Sequence, residues 1–478
     1  MTIVNRFPPL PKGWIWTQIQ DISETTSGGT PSRKNKDFFS GEIPWLKSGE
    51  LADNLNIDSA EEAINQQALD NSSAKIIPKG SLLVALYGAT VGKLGLLSID
   101  AAINQAICAI EPNQGIYSKY LFYYLSSYRK NFLNARKGGA QPNISQEIVK
   151  TALVPLAPTT EQLRIIRKVE ELFSFLDAGV ESLRKVQAQL KRYRQAVLKY
   201  AFEGKLTEEC RRTHKDQTEV ELKLFESMTT SEDSYEAPKE WSFTVLSNIA
   251  KVSVGHVGPV SKYYTTRDNG IPMLSTANIS DEGLVRLDEI NYVNREFGKK
   301  NKSKKVYPGD IIVARHGDSG SAARIPDGFK EAFCLNAVIV RPTGMVLPRY
   351  LETVFRFKGT RSSLLTKKSG SVQSIVGTTA LKQFKVPLPS LPEQNEIVER
   401  LELAFSIINA TESIVKESLR QSAQLRQCIL KAAFEGRLVP QDPNDEPAEK
   451  LLERIKAERF NNRKPKTDNQ LELSCYVK

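Results

Sequence analysis

Few residues in this chain have the types and spacing that chemistry requires. Gly88-Ala89-Thr90-Val91-Gly92-Lys93 has the glycines and lysine of a phosphate-binding loop. Its spacing does not fit. Only three residues separate the glycines where four are required, and Leu94 stands where a Ser or Thr would hold magnesium. A turn at the end of a strand is the better reading, and the matching loop Gly317-Asp318-Ser319-Gly320 differs. The three histidines, His214, His256 and His316, form no HxxxH pair, and the five cysteines form no CxxC. Neither a zinc site nor a redox dithiol is expected. No GxSxG elbow or HExxH is present. Nor is there an Asp/Asn-Pro-Pro-aromatic motif of amino-methyltransferases or a convincing Asp…Glu-x-Lys nuclease cluster. The expectation is a chain that does no catalysis itself.

The remaining polar groups suit contact with DNA. In the first half they are Thr30, Ser32, Arg33 and Lys34, then Lys47 and Ser48, then Tyr87, Thr90 and Lys93, then Gln141 and Asn143. In the second half they are His256 and Lys262, then Ser275 and Asn278, then Arg315, His316 and Ser319, then Gln373. The densest basic run is Lys299, Lys300, Lys302, Lys304 and Lys305. Lysines neutralise phosphates, whereas Arg, Asn and Gln can pair with guanine and adenine edges. Any one of these loops also reads as a solvated turn, and the lysine run also reads as a solvated face. The duplicated pattern is the stronger signal.

That pattern rests on an internal repeat. Val154-Pro155-Leu156 recurs as Val386-Pro387-Leu388, and Glu161-Gln162 as Glu393-Gln394. Ala201-Phe202-Glu203-Gly204-Lys205-Leu206 recurs as Ala433-Phe434-Glu435-Gly436-Arg437-Leu438. All share one offset, and about 20 of the 53 positions from Val154 to Leu206 are identical. Pro11-Lys12-Gly13-Trp14 matches Pro238-Lys239-Glu240-Trp241 more loosely. Each half is therefore a variable domain followed by a better-matched helix. The fold class is α/β (mixed α+β) in a tandem repeat, with mostly strands in the variable domains.

Leu82 to Tyr87, Ile107 to Ile110, Ile311 to Ala314 and Val338 to Val340 read as buried strands. Tyr117 to Asn134 and Pro348 to Thr366 read as amphipathic helices. Thr159 with Gln162, and Ser390 with Glu393, can form capping boxes that start two long helices. Leu163, Ile166, Val169, Leu172, Leu176, Val180, Leu183, Val186, Leu190, Tyr193 and Val197 recur at the coiled-coil period. This stripe is expected to pack antiparallel on Ile397, Leu401, Ile408, Val415, Leu425 and Ile429, with one domain at each end about a pseudo-two-fold axis. Gly179 is a soft point in the first helix, while Gly204 and Gly436 suit helix stops.

The boundaries read as domains at 1–155 and 237–387, helices at 156–206 and 388–440, a polar linker at 207–236, and a C-terminal helix and polar tail at 441–478. Few core contacts are expected to cross from domain to helix. The net charge of +11 points to a polyanion. Ser81 to Gly92, the longest uncharged apolar stretch, is too short to span a bilayer. The N-terminus, with Arg6, Pro8 and Pro9, has no apolar signal core. A soluble cytoplasmic protein is expected.

The ordered motifs resemble the specificity subunit of type I restriction–modification systems. They run from Leu10-Pro11-Lys12-Gly13-Trp14 through Gly28-Gly29-Thr30-Pro31-Ser32 and Ile43-Pro44-Trp45 to Pro155-Leu156 and Glu161-Gln162. The second half supplies Pro392-Glu393-Gln394 and Glu435-Gly436-Arg437-Leu438-Val439-Pro440, with Gly258-Pro259-Val260-Ser261 set against Gly29 to Ser32. The resemblance implies two target-recognition domains, each reading half of a bipartite asymmetric site on double-stranded DNA, and paired helices as spacer. It implies docking to two modification (methyltransferase) subunits and to restriction (translocase/nuclease) subunits. S-adenosylmethionine, ATP and Mg would belong to those partners, which methylate adenine at N6, and no cofactor to this chain. Two alternatives stay open: the specificity subunit of a fused restriction–methylation or other defence system, and a coiled-coil DNA scaffold without sequence preference.

Overall fold

The computed structural model describes residues 8–134, 143–213, 237–279, 285, 290–315, 320–357 and 376–463. The chain divides into two units, Met1–Ser182 with Ser418–Lys478, and Leu183–Glu417. Each unit holds one variable domain and part of both long helices.

In the first unit the domain opens and closes through one antiparallel pair, Ile15–Gln18 against Leu153–Leu156, with Ile15 opposite Leu156. Between these gate strands lie a five-stranded and a four-stranded sheet. The five-stranded sheet is buried on both faces, which is why its centre reads as an unbroken apolar run. Side chains alternate along a strand. Leu82, Val84, Cys108 and Ile110 therefore face the aromatic side of the helix Ser118–Asn134, which carries Tyr120 and Tyr124. Leu83, Ala85, Ile107 and Ala109 face Leu46, Ala101 and Ile103 on the other side.

The second unit repeats this plan. Ser242–Val245 pairs antiparallel with Lys385–Leu388. Ile311, Val313, Val338 and Val340 face Tyr350 and Leu351 of the helix Pro348–Arg356, and Ile312, Ala314 and Ile339 face Leu274 and Cys334. The helix expected to run to Thr366 stops at Arg356, where Phe357 turns extended, and residues 358–375 lie outside the described residues.

The long helices are Thr159–Phe202 and Leu391–Phe434, 44 residues each, about 66 Å at 1.5 Å per residue. They pack antiparallel, and the contacts repeat residue for residue. In the first unit Arg426 lies 4.2 Å over Phe173 and bonds Asp177. In the second Arg194 lies 5.3 Å over Phe405 and bonds Asn409 at 2.7 Å. Both helices end at left-handed glycines with φ +66°, Gly204 and Gly436. A Cβ at either would fall 2.1 Å from a proline Cγ, of Pro238 and Pro11 respectively. Glycine is thus needed both for the turn and for this approach.

Three expectations change. Thr159 is the first helical residue, its hydroxyl donates to the Gly115 carbonyl, and Gln162 turns to the Ala157 carbonyl, so that capping box does not form. In the second, Ser390 does accept from the Glu393 amide at 3.4 Å, but the Glu393 carboxylate is used elsewhere. Val186, Tyr193 and Leu425, placed in the packed stripe, are exposed, whereas Ile397, Leu401, Ile408, Val415 and Ile429 are buried. Periodicity sets the phase of apolar residues, not which of two adjacent faces meets the partner helix. Finally, core contacts do cross from domain to helix. Val197, Leu198 and Phe202 share one apolar cluster with Tyr350, Leu351 and Val354. Segments after the helices are structured too. Glu208–Thr213 is helical, and Ala448–Arg463 buries Ala448, Leu451 and Ile455 in the first unit.

Candidate nucleic-acid interface

The repeated motifs prove to be the frame on which the variable loops stand. Trp14 Nε1 donates to Glu161 Oε2 at 2.8 Å, and Trp241 Nε1 to Glu393 Oε2 at 3.0 Å. The neighbouring glutamines accept from the Tyr117 amide at 3.2 Å and the Leu347 amide at 2.8 Å. Tyr120 and Tyr350 donate their hydroxyls to the Pro155 and Pro387 carbonyls. These groups are buried, so the better-matched motifs hold the fold.

The Gly88–Lys93 segment is a hairpin turn. Gly88 and Gly92 take φ +75° and +72°, and the next strand, Leu94–Leu97, runs back antiparallel on Leu82–Ala85. No helix follows to complete a phosphate cradle. Burial pushes the Cys108 and Cys334 thiols up to about 12, which keeps them protonated. Among the described residues no group of three or more His, Cys, Asp or Glu side chains could hold a metal ion.

In the first domain one cluster forms around the loop after the first sheet strand. A Cβ on Gly28 would fall 2.0 Å from the Ile103 carbonyl oxygen and one on Gly29 2.3 Å from the Ala74 nitrogen. These glycines press the loop to the sheet, and Trp45 Nε1 donates to the Gly29 carbonyl at 3.0 Å. Thr30 and Ser32 are exposed, and the Thr30 hydroxyl bonds Gln105. Arg33 lies over the Phe39 ring at 4.2 Å and forks onto Glu62 at 2.6 and 3.2 Å. Lys47 reaches Glu61 at 2.9 Å and Glu62 at 3.0 Å. Hydrogen bonds from Arg33, then Lys47, hold the Glu62 carboxyl below its ordinary value, while those to Glu61 and Glu62 raise Lys47. Both cations are thus neutralised within the cluster. A second group comprises exposed Tyr87, bridged to Asn143, with the Thr90 hydroxyl on the Tyr87 carbonyl at 3.4 Å and half-buried Lys93 beyond.

The backbone of the second domain gives the correct correspondence. Gly28 and Gly29 donate to the Ile107 and Ile103 carbonyls, and Gly255 and His256 donate to those of Ala337 and Cys334. His256 therefore occupies the place of Gly29, and the sequence pairing with Gly258 is two residues out of step. The imidazole sits 5.0 Å from the Phe297 ring, with Nδ1 3.3 Å from Asn301 Oδ1. Likewise the Arg315 and Leu86 carbonyls accept from Val376 and Ile144, so Arg315 takes the position of buried Leu86. Lys262 is exposed, 5.0 Å over Tyr263. Ser275 accompanies Asn278, which is buried at 3% exposure and accepts from the Ser275 amide at 2.8 Å, organising its own turn. Lys302 is exposed, Lys304 donates to the Val254 carbonyl at 2.8 Å, and Lys305 pairs with Glu331. Gln141, His316, Ser319 and Gln373 lie outside the described residues.

Sequence reasoning passed over Glu61 and Glu62, which hold Lys47, Gln105, which bonds Thr30, and Arg295, which lines a groove with Lys299 and Lys302. Arg295 carried a signal: it precedes Lys299 by four residues, which puts both on one helix face.

Comparison with known proteins follows the same division into halves. The family model for the Type I restriction modification DNA specificity domain matches residues 11–192 and 238–419. The EcoBI specificity subunit of Escherichia coli is 30% identical over 380 residues, 76% of either chain. The EcoKI specificity subunit of Escherichia coli (strain K12) is 25% identical over 476 residues, 94% of this chain and 96% of that one. A structure solved to explain complex assembly and conformational transition of the type I R-M system aligns with TM-score 0.64 at 20% identity, over 90% of this chain and all of that one. The HsdS subunit from Thermoanaerobacter tengcongensis aligns with TM-score 0.53 at 18% identity, over 91% of this chain and all of that one. Those two likenesses bear on the fold. With two matched copies of its domain, the chain belongs to the type I restriction–modification DNA specificity family.

Proposed function

We propose that each variable domain of this specificity subunit reads one half of a bipartite, asymmetric site on double-stranded DNA, while the long helices set the spacing. One observation supports this most strongly. The two domains share a backbone but differ at corresponding loop positions, Gly29 against His256 and Leu86 against Arg315. Two copies of one scaffold with different side chains at matching loop positions suit two different half-sites.

On this reading the chain performs none of the chemistry. It docks two modification subunits that bind S-adenosylmethionine and methylate adenine at N6, together with restriction subunits that use ATP and Mg. Methylation requires the adenine to leave the stack, and the recognition domains hold the duplex while this occurs. The described residues contain no helix long and apolar enough to cross a membrane, and we place the protein in the cytoplasm with its DNA. The deciding experiment reconstitutes the chain with its modification subunit and maps adenine methylation on random-sequence DNA. One bipartite motif is expected, with no methylation or cutting by the chain alone. Methyl transfer by the isolated chain, or methylation without a motif, overturns the reading.

A further inference from the structure

The two domains carry the same short helix with opposite electrical character. In the first it is Gln66–Asp70, capped by Asn65, whose side chain accepts from the Ala68 amide at 2.9 Å. In the second it is Arg295–Lys300, capped by Asn294, whose side chain accepts from the Phe297 amide at 3.0 Å. Each is closed by an asparagine, Asn71 or Asn301, that donates its amide nitrogen back to the carbonyl of Gln67 or Phe297. The two cap bonds set the correspondence, independent of sequence similarity, and the second helix runs one residue longer before its closing asparagine. Gln66 takes the place of Arg295, and Asp70 that of Lys299. In the first domain this i, i+4 pair bonds to itself, Gln66 Nε2 to Asp70 Oδ1 at 2.9 Å.

In the second domain the pair opens onto a groove of about 560 Å³. Arg295, Lys299, Lys302 and Lys305 line it, with Asp268 and Glu331 also contributing. Glu331 is occupied by Lys305. Residues 295–305 hold six cations against Glu296, whereas residues 66–76 hold only Lys75 against Asp70. Arg295, Lys299 and Lys302 are all exposed. Like charges held close together on an ordered element repel one another, and a polyanion relieves that repulsion while releasing its own counterions.

We infer that the second domain carries a phosphodiester clamp, made by Arg295, Lys299 and Lys302, that the first domain lacks at the matching place. The chain therefore grips the DNA backbone asymmetrically. The inference rests on the reading that the chain binds DNA, and it adds which domain supplies this grip and with which side chains. Lys304 and Lys305 lie outside the clamp: the first braces the Val254 carbonyl and the second is paired with Glu331.

The test uses the full chain with its modification subunit, bound to a duplex carrying its mapped site, over a range of salt. For wild type the slope of log affinity against log salt counts phosphate contacts at about 0.9 each. The triple variant R295A/K299A/K302A is expected to lower that slope by about 2 to 3 while the methylated motif stays the same. The double variant K299A/K302A changes only exposed lysines and is expected to lower it by about 2. K304A is expected to lower the melting temperature and leave the slope unchanged. Q66A is expected to change neither slope nor motif, and Q66R/D70K, which copies the second domain's pair into the first, to raise the slope. An unchanged slope in the double variant, with folding intact by thermal melt, overturns the clamp. A changed motif in that variant also overturns it, because phosphate contacts carry no sequence. Failure of the wild-type complex to bind DNA would instead overturn the proposed function itself.

Discussion

Trp14 donates its indole N–H to the buried Glu161 carboxylate at 2.8 Å, tying the entrance of the first domain to the start of the first long helix. Trp241 and Glu393 repeat the bond at 3.0 Å. The two glutamates are equally buried, each 1% exposed, but differ on their other oxygen. Glu393 Oε1 accepts from the Thr207 hydroxyl at 2.6 Å and from the Arg211 guanidinium. Glu161 Oε1 has no hydrogen-bond partner among the described residues. In both cases burial pushes the carboxyl above its ordinary range, and the hydrogen bonds oppose that shift.

The first prediction follows from this difference. A carboxyl raised on folding gives stability that is fully present below its unfolded pKa and lost as pH rises through the folded value. Glu161→Gln should therefore melt like wild type near pH 4 and at a higher temperature near pH 8, since Gln keeps an acceptor for Trp14 without a buried charge. Glu393→Gln should gain less at pH 8 than Glu161→Gln, because the hydrogen bonds from Thr207 and Arg211 to the Glu393 carboxylate already offset part of its burial. Thermal melts of both variants across that range are the measurement. Equal and same-signed shifts for the two would show that the lone oxygen of Glu161 has no energetic weight.

A second prediction separates the inner and outer faces of the long helices. Leu401 is fully buried, so Leu401→Ala should cost about 2 to 5 kcal/mol. Val186, Tyr193 and Tyr200 on one helix, and Leu403, Ile407 and Ile414 on the other, are exposed apolar residues. Isolated exposed apolar residues are ordinary, but a run of them along a helix face marks a contact surface. Tyr193→Ser with Ile414→Ser should change stability by about 0.5 kcal/mol or less, yet weaken assembly with the modification subunit. Size-exclusion chromatography of the mixed subunits reads this directly, and undiminished assembly removes these faces from the docking surface.

These faces mark the limit of what the sequence discloses. The repeat was legible because a gapless match, with about 20 identities in 53 positions, runs from Val154 to Leu206, and the buried strands were legible because both faces are covered. Helix length and stops were legible from Gly204 and Gly436. The role of Glu161-Gln162 was not, since local spacing suggests a cap while the true partners are Trp14 and Tyr117, distant in sequence. The Arg33–Glu62–Lys47 cluster was half legible: its cations were singled out, but the carboxylate joining them arrives from another strand. Matching Gly258 to Gly29 failed because similarity of letters outweighed backbone pairing, which only the sheet reveals.

The third prediction concerns that cluster. Glu62 holds Arg33 by two bonds and Lys47 by one, so the three side chains are oriented together. Glu62→Gln should release both cations and relax base choice at one position of one half-site, by about 1 to 3 kcal/mol. With Glu62 lowered and Lys47 raised, both stay charged between the ordinary carboxylate and lysine ranges. Discrimination in wild type should accordingly be independent of pH across 6 to 9. Methylation rates on single-base variants of the mapped site supply both measurements. A shift in the other half-site would place the cluster away from the bases it is proposed to serve.

The last prediction tests whether the domains read independently. Each domain enters and leaves through one antiparallel strand pair, and Ser242 lies directly opposite Leu388. Adjacent entry and exit allow a graft without moving the frame, but the shared core sets where the cuts must fall. Tyr350 donates to the Pro387 carbonyl and lies 6.2 Å from the Phe202 ring, so the helix that carries it belongs energetically to the long helices. Exchanging residues 250–342 for those of a related subunit keeps that helix and both gate strands. This chimera should assemble normally, alter the second half-site only, and leave the first half-site and the spacer length unchanged. Exchanging residues 241–385 instead replaces Tyr350, Leu351 and Val354, and the chimera should lose stability wherever the donor fills that volume differently. Methylation motifs and melting temperatures of the two chimeras decide the matter. If the smaller graft changes both half-sites, or the spacer between them, the domains do not act as separate readers.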